Sequence, residues 1–289
     1  MLPLDPTESR PSVPSTVHHL STEAGRQRQG KLWSNLKEVC NLLQIETASS
    51  VDNEEALFQH VQFKTGQRIH MLGQTFDHLY IVNSGFLKTV LIDEFGNEQV
   101  LSFPMKGDML GVDGINTRYY ASEAVALSDC DIMLVPFKKL IALSRVHPEL
   151  ENLIYGVLSR ELVREQVMIG ILGGLSAEAR VARFLGTLAE RFAAMGYSSK
   201  LFNLRMTRQE IGSYLGLTLE TISRTLSAFN EAGLITVDQR TIGIKDIESL
   251  QTLRRLAPRA RASKAIATKP SARANLSSSA VPIMDCMDD

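Results

Sequence analysis

The chain has 289 residues, of which 44% are hydrophobic and 22% charged, and its formal net charge at pH 7 is −1. This composition is typical of a globular protein with two domains of ordinary size, and the small net charge argues against an indiscriminate polycation. No apolar run approaches the roughly 20 residues that span a bilayer, and the N-terminus lacks the basic-then-apolar pattern of a signal peptide, so we expect a cytoplasmic protein.

Charge is unevenly distributed along the chain. Residues 1–173 carry 15 Lys and Arg against 21 Asp and Glu, whereas residues 174–289 carry 16 against 11. Five of the latter cations follow residue 256. The basic excess of the C-terminal part favours a phosphate backbone as its partner.

The N-terminal half changes texture twice. Residues 1–30 are rich in Pro, Ser, Thr and Arg, which predicts a flexible tail. Helical spacing of apolar residues over 31–58 predicts one or two lead-in helices. From Val61 to Phe137, short β-rich runs broken by Gly, Asn and Asp predict a closed barrel or jelly roll, with a hairpin turn at the sequence EFGN. We therefore assign residues 31–147 to a β-barrel domain with lead-in helices.

A long helix is predicted over residues 148–174, which end in Gly173 and Gly174. Its apolar seam is longer than one small barrel needs for cover, so it suits a parallel helix pair in a homodimer. Glu165 either faces its symmetry mate, where like charges would make assembly conditional, or lies on the solvent side. The residues assigned to the dimer helix are Ile154, Val157, Glu161, Leu162, Glu165, Met168, Ile169 and Leu172.

Residues 206–232 predict two helices separated by a tight turn. Thr207 can cap the first helix while Glu210 reaches back to the cap, which is the capping-box arrangement. Gly212 is small where the two helices must approach closely, and Gly216 falls in the turn. This spacing is typical of a helix-turn-helix.

The second of these helices presents Glu220, Ser223 and Arg224 on one face, because they are spaced i, i+3 and i+4. Arg can contact guanine with two hydrogen bonds, Glu can accept from the cytosine amino group, and Ser accepts several partners. An ordinary solvated face is the alternative. Beyond it, residues 234–237 and 241–244 flank a short turn carrying Arg240, which predicts a β-hairpin and hence a winged helix-turn-helix over 175–256. Residues 257–289 are predicted to be a flexible tail.

The run MTRQEIGSYLGLTLETISR, with its E-x-x-S-R motif at Glu220, Ser223 and Arg224, resembles the CRP/FNR bacterial transcription regulators, and within them the FNR branch. The resemblance extends more weakly over residues 60–250. It implies an α+β protein that is not an enzyme, with a cyclic-nucleotide-binding-like β-barrel (double-stranded β-helix), a dimerisation helix and a C-terminal winged helix-turn-helix. The implied partners are double-stranded DNA, a second copy of the chain and RNA polymerase.

The resemblance also implies a palindromic DNA site close to TTGAT-N4-ATCAA. Arg224 would contact guanine, Glu220 the paired cytosine, and Ser223 an adjacent thymine. The residues expected to position the protein on the phosphates are Thr207, Arg208, Thr218, Thr221 and Arg240.

Individual residues argue against two cofactors of the resembling family. The turn from Gly107 to Gly111 is retained, but Val112 stands where cyclic-AMP-binding members have a ribose-binding Glu, and Glu123 stands near the phosphate position without an Arg. A [4Fe–4S] cluster needs four thiolates, whereas the three cysteines, Cys40, Cys130 and Cys286, are far apart. We therefore expect neither cyclic AMP nor an iron–sulfur cluster.

Three alternatives stay open from the sequence. The first is a sensor domain that binds haem through one of the histidines. The alternative function is therefore a cyclic-nucleotide- or haem-responsive regulator with the same DNA-binding module. Cys130 is either a redox switch or a small buried hydrophobe. The helix-turn-helix could also dock a partner protein. A cupin-like enzyme would need a His-rich metal constellation, and we find neither that nor a nucleophile–base pair, so no catalytic or metal site is predicted. The haem candidates are His60, His70, His78 and His147.

Overall fold

The computed structural model describes residues 33–44, 58–145 and 148–253. The predictions for the two tails, for His147 and for Cys286 lie outside the described residues. None of the helices in the described part of the chain combines the length and apolar character needed to cross a bilayer.

The first domain is built mainly of short strands, and we call it the jelly-roll domain (described residues 33–145). Its elements are β1 (Trp33–Ser34), α1 (Leu36–Leu42), β2 (Phe58–Phe63), β3 (Arg68–His70), β4 (His78–Ser84), β5 (Leu87–Ile92), β6 (Glu98–Ser102), β7 (Met109–Leu110), α2 (Gly114–Thr117), β8 (Glu123–Ala126), β9 (Cys130–Pro136) and α3 (Phe137–Ser144).

Two antiparallel sheets enclose the core of this domain. The strand orders are β1-β2-β9-β4-β7 and β3-β8-β5-β6. Ile81 and Ile132 from the first sheet and Leu87 and Ala124 from the second are fully buried in one cluster. The ladders among the described residues stay in two separate sheets, so the fold is a jelly-roll-like sandwich, which is the second of the two architectures that the sequence predicted.

The predicted hairpin turn connects β5 and β6. Asp93 accepts hydrogen bonds from the backbone N–H groups of Phe95 (2.9 Å) and Asn97 (2.8 Å). Gly96 has a φ of 82°, a region that favours glycine. The side chain of Asp93 therefore stabilises the turn. The β5–β6 hairpin that it closes contacts the second domain, as described below.

The chain continues into one long helix and then into a second domain, which we call the winged-helix domain (described residues 175–253). The long helix is α4 (Pro148–Gly174), over the residues predicted for it. The remaining elements are α5 (Ala177–Ala194), β10 (Leu201–Asn203), α6 (Arg208–Leu215), α7 (Leu219–Glu231), β11 (Ile235–Asp238), β12 (Thr241–Ile244) and α8 (Ile247–Leu253).

The winged-helix domain contains the predicted hairpin and two short elements that the sequence did not predict, β10 and α8. Helix α5 begins after Ser176, whose hydroxyl accepts from the backbone N–H of Ala179 (3.3 Å). Strands β11 and β12 pair antiparallel around a two-residue loop, Gln239 and Arg240. Strand β10 adds to the hairpin as a third strand, and α8 closes the domain by packing on α5.

Candidate nucleic-acid interface

Helix α6 and the turn after it follow the local rules that the sequence suggested. The Thr207 hydroxyl accepts from the Glu210 backbone N–H (3.1 Å), and the Glu210 carboxylate accepts from the Thr207 backbone N–H (2.7 Å). A Cβ on Gly212 would lie 2.6 Å from the carbonyl oxygen of Leu217. Gly216 ends the helix with φ 62° and ψ 41°. Glycine is therefore required twice, once for close approach and once for a left-handed backbone.

Helix α7 buries one face and exposes the other. Ile222 has no exposed surface, and Leu226 and Phe229 are 3% and 4% exposed. On the opposite side Glu220 and Arg224 are exposed. The helix is thus anchored by its apolar face, and its polar face is free to meet a partner.

The polar face keeps its charges available. Hydrogen bonds from the backbone N–H of Glu220 and the Thr218 hydroxyl hold the pKa of the Glu220 carboxyl below its usual range, so it is ionised at neutral pH. Ser223 is half-buried and accepts a hydrogen bond from Nη1 of Arg208 (3.3 Å). The structure therefore brings Glu220, Ser223 and Arg224 together on one face and adds Arg208 beside them.

The residues predicted to contact phosphates lie at the starts of α6 and α7 and in the hairpin loop. Thr218 caps α7 by accepting from the backbone N–H of Thr221 (3.2 Å), and the two hydroxyls are 3.0 Å apart. Helix N-termini attract phosphate because their N–H groups and dipole point outward. Thr207 is exposed at the start of α6, and Arg240 is exposed in the hairpin loop.

The long helix α4 has an exposed apolar seam. Its members recur at intervals of three and four residues, the heptad pattern of a two-stranded coiled coil. Ile169 is 71% exposed and Leu162 is 56% exposed, which is unusual for large aliphatic side chains in a helix of this length. The seam consists of Tyr155, Leu158, Leu162, Ile169 and Leu172, with Glu165 as its one charged position.

Half of the residues predicted for the dimer helix lie on its other face, against the chain's own domains. Val157 is 3% exposed within the single chain and belongs to the jelly-roll core, and Ile154 packs beside it. Met168 packs on the core of the winged-helix domain, and Glu161 lies beside Arg164. The sequence pattern did not separate two faces of α4, because both are apolar. One face packs on the chain's own domains, and the other is exposed.

The winged-helix domain docks on the β5–β6 hairpin. Nζ of Lys88 lies 2.7 Å from Glu98 and 3.2 Å from Glu210, the capping residue of α6. The backbone N–H of Val100 donates to the Ser213 hydroxyl of α6 (2.9 Å). This interface could not be predicted from the sequence, because its partners lie more than 100 residues apart and form no periodic pattern.

Asp108 ties three parts of the chain together. It belongs to the Gly107–Gly111 turn that resembles a nucleotide-binding turn, but it is 6% exposed and accepts from Arg164 of α4 (2.9 Å) and from Arg191 of α5. Its carboxylate also accepts from the Met105 backbone N–H (2.9 Å). The turn therefore links the jelly-roll domain to α4 and α5.

The interior of the jelly-roll domain does not fit a cyclic nucleotide. Glu123 is 5% exposed and is paired with Nε of Arg68 (2.6 Å), while Asp113 accepts from the Ser122 hydroxyl (2.7 Å). A phosphate placed there would face two carboxylates, and the cation beside Glu123 is already paired.

His70 lies in the same interior and is packed against two aromatic rings. It is 1% exposed, and its ring stacks on those of Tyr120 and Tyr80, with ring centroids 4.3 Å and 5.6 Å apart. Its two ring nitrogens have no hydrogen-bond partner among the described residues. Burial lowers the pKa of His70, against the opposing effect of Asp113, so the ring is neutral at physiological pH.

The two described cysteines are buried thiols. Cys40 has no exposed surface, and burial raises its pKa to about 11. Cys130 is 1% exposed, donates to the Ser128 carbonyl (3.0 Å), and has a pKa raised by burial. Since the thiolate is the form that reacts and binds metal, this geometry favours the buried-hydrophobe interpretation of Cys130 and does not fit an iron–sulfur cluster. Within the described ranges no three His, Cys, Asp or Glu are grouped to hold a metal ion.

The sequence also gave no sign of a serine–histidine–aspartate chain. The Ser34 hydroxyl lies 2.9 Å from Nε2 of His60, whose Nδ1 lies 3.0 Å from Asp131. This order is that of a hydrolase triad. Ser34 and His60 are only 6% and 8% exposed, however, so the hydroxyl is not presented to a substrate. The network anchors β1 to β2 and β9, and it occupies both ring nitrogens through which His60 could bind a haem iron.

Comparisons with known proteins agree with this architecture. A model of the cyclic nucleotide-binding domain matches residues 60–147, and a model of the Crp-like helix-turn-helix domain matches residues 179–253. Among solved structures, FixK2 from Bradyrhizobium japonicum aligns with a TM-score of 0.65 at 24% identity, over 70% of this chain and 100% of that one. TTHA1359, a CRP/FNR family regulator from Thermus thermophilus, aligns with a TM-score of 0.55 at 22% identity, over 68% and 98%. These structures show the shared fold.

Curated relatives are more similar in sequence. Transcriptional regulatory protein btr of Bordetella pertussis is 38% identical over 200 residues, which are 69% of this chain and 83% of that protein. Electron transport regulator A of Shewanella oneidensis is 41% identical over 188 residues, which are 65% of this chain and 75% of that protein. The resemblance found in the sequence is thereby confirmed: this chain belongs to the CRP/FNR family and is a DNA-binding transcription regulator, not an enzyme.

Proposed function

We propose that the protein is a homodimer that binds a palindromic DNA site close to TTGAT-N4-ATCAA. The observation that carries the proposal is the exposed polar face of α7, held by a buried apolar face and by a capped, glycine-dependent turn. Arg224 pairs with guanine, Glu220 with the opposite cytosine, and Ser223 with a neighbouring thymine. Thr207, Arg208, Thr218, Thr221 and Arg240 contact phosphates around it.

The exposed seam of α4 supports the dimer. Leu158 and Leu172, the seam's most covered members, are still 36% and 38% exposed in the single chain. A second copy of the same helix, packed in parallel, would cover the whole seam at once. Two recognition helices related by a two-fold axis then meet successive major grooves about one helical turn apart. RNA polymerase is the further partner that we propose, on family membership alone.

The jelly-roll domain supports regulation without cyclic AMP or an iron–sulfur cluster. Buried carboxylates occupy the region that a nucleotide phosphate would need, and the described cysteines are buried thiols with raised pKa values. Control then rests on the amount of protein or on an effector of another chemical class. Protein prepared in air without added ligand is therefore the right material for a first binding test.

The test is fluorescence anisotropy with a labelled duplex carrying TTGAT-N4-ATCAA and a duplex with both half-sites scrambled, at about 0.15 M salt. Tight binding to the first duplex alone is expected. Arg224→Ala should cost about 1–3 kcal/mol per half-site on the specific duplex and little on the scrambled one. Lys200→Ala, which removes an exposed cation of the same domain outside α7, is the control.

Two results would contradict the proposal. If Arg224→Ala lowered the affinity for both duplexes equally, Arg224 would contact phosphate and would not read a base. Weak binding of the unaltered protein to both duplexes would contradict effector-free binding, and protein purified from its own cytoplasm would then be searched for haem or nucleotide.

A further inference from the structure

Three helices meet at the side chain of Arg180, near the start of α5. Its Nε donates to the carbonyl oxygen of Leu175 (3.1 Å) and its Nη2 to that of Leu172 (2.6 Å), at the C-terminal end of α4. Its Nη1 donates to the carbonyl oxygen of Leu215 (3.0 Å), the last residue of α6. One guanidinium group therefore joins the end of the long helix to the end of the first helix of the helix-turn-helix.

The chemistry of this junction suits arginine alone. Helix C-termini leave backbone carbonyls without intrahelical partners and carry partial negative charge, so a cation that donates hydrogen bonds is favoured there. Arginine presents five donors in a rigid planar fork, whereas lysine is a point charge on a flexible stem. Only the fork can reach two helix ends at once in a fixed geometry.

The turn of the helix-turn-helix lies directly against this junction. A Cβ on Gly216 would lie 3.5 Å from both Nη1 of Arg180 and Cδ2 of Leu172. Leu172 is also the last member of the exposed seam. Helix α7 begins at Leu219, three residues after Gly216. The path from the seam to the base-reading face is therefore short and passes through Arg180.

We propose that Arg180 is a positioning residue that fixes the spacing between the two DNA half-sites. The inference rests on the proposed dimer and its palindromic site. In a dimeric reader the half-site spacing is set by the distance and angle between its two recognition helices. Each added base pair moves a half-site by about 3.4 Å and turns it around the helix axis. By holding α6 to the end of α4, Arg180 ties each recognition helix to the dimer axis.

The docking of α6 on β6 also holds the winged-helix domain, so loss of Arg180 should loosen its orientation and leave the domain folded. The expected signature is a change in spacing preference. Recognition of a single half-site should survive, because the polar face of α7 and its buried anchor are not touched by the substitution.

The experiment measures binding of four proteins to a set of duplexes. The duplexes carry the two half-sites separated by three, four, five or six base pairs, one half-site alone, or scrambled half-sites. The proteins are the unaltered chain, Arg180→Met, Arg180→Lys and Arg183→Met. Arg183 lies one turn further along α5, and among the described residues it has no hydrogen bond to α4 or α6, so it is the matched control. Thermal unfolding of each variant reports whether the domain is intact.

The unaltered protein and Arg183→Met should prefer the four-base-pair spacer. Arg180→Met should lose about tenfold of that preference, comparable to one charge-assisted hydrogen bond, with single-half-site binding unchanged. Arg180→Lys should recover only part of it. The inference is overturned if Arg180→Met keeps the preference, or if it loses single-half-site binding together with thermal stability, since that is a purely structural role. Failure of the unaltered protein to distinguish the four-base-pair site from the scrambled one would instead overturn the proposed function, and this inference with it.

Discussion

Replacing Glu165 with leucine should convert the exposed seam of α4 into a continuous apolar stripe and tighten the dimer. Glu165 follows Leu162 by three residues and precedes Ile169 by four, so it occupies a core position of the heptad pattern. In a parallel two-stranded pair the same position on both helices meets across the axis. In the proposed dimer, two carboxylates would thus lie together inside an apolar interface.

The size of the effect follows from the exposure of the neighbours. Burying a leucine fully is worth about 1.5–3 kcal/mol, and a dimer gains two. The neighbouring seam residues Leu162 and Ile169 are 56% and 71% exposed in the single chain. A partner helix would therefore cover roughly half of each side chain or more. Covering half of each of the two new leucine side chains should therefore contribute about 1.5–3 kcal/mol to dimer stability. Two carboxylates about 8 Å apart repel by up to about 2 kcal/mol at an effective dielectric constant near 20, and less in salt. The dimer should gain about 2–4 kcal/mol, or roughly 30- to 1,000-fold in its dissociation constant.

Analytical ultracentrifugation over a dilution series measures this constant. Glu165→Gln removes the charge without adding apolar area, so its gain should be the smaller electrostatic part and should shrink as salt rises. Gln166→Leu adds the same side chain one position outside the three–four pattern and should change the constant much less. If Glu165→Leu and Gln166→Leu have equal effects, or if Glu165→Leu weakens the dimer, the exposed seam is not the dimer interface.

Three further predictions concern the fold and its titrating groups. Gly212→Ala should destabilise the protein by about 1–3 kcal/mol in denaturant unfolding, because its Cβ would meet the Leu217 carbonyl at 2.6 Å, whereas Gly170→Ala in the open part of α4 should be neutral or stabilising; equal effects would contradict the close approach. Burial holds the pKa of His70 below its ordinary value of 6.5, so the unfolded chain binds the extra proton first and stability should fall as pH drops through about 6.5. Thermal unfolding between about pH 5 and 8 should show a smaller fall for His70→Phe, and identical slopes would refute the assignment. Cys130 should react with iodoacetamide far more slowly in the native protein than in urea, as read by peptide mapping, and rapid native labelling would restore the redox hypothesis.

The sequence predicted best where structure is set by neighbours in the chain. The capping pair Thr207 and Glu210 are three residues apart, and Gly212 and Gly216 fall at fixed distances in a motif whose geometry admits little else. Such signals survive without knowledge of the rest of the fold. The same reasoning placed Glu220 and Arg224 on one exposed face of α7.

Prediction from the sequence failed where the structure depends on contacts between residues that are distant in the chain. Helix α4 is apolar on two sides, and periodicity alone could not show that Val157 faces the jelly-roll core while Leu162 faces outward. Strand β10 has three residues and forms only because β12 offers an open edge. The contact between Val100 and Ser213 spans 113 residues of sequence and leaves no local pattern.

Asp108 shows why a familiar motif does not carry its function with it. The Gly107–Gly111 turn is kept, yet the carboxylate between its glycines is used by Arg164 and Arg191. The turn therefore fixes α4 and α5 to the jelly-roll domain from one side, while Arg180 joins α4 to α6 from the other. A signal that moved the winged-helix domain would have to break both connections, each made of charge-assisted hydrogen bonds that are partly shielded from water. That arrangement would hold the reading helix in one orientation, and it supports our proposal that the protein binds DNA without first binding a small ligand.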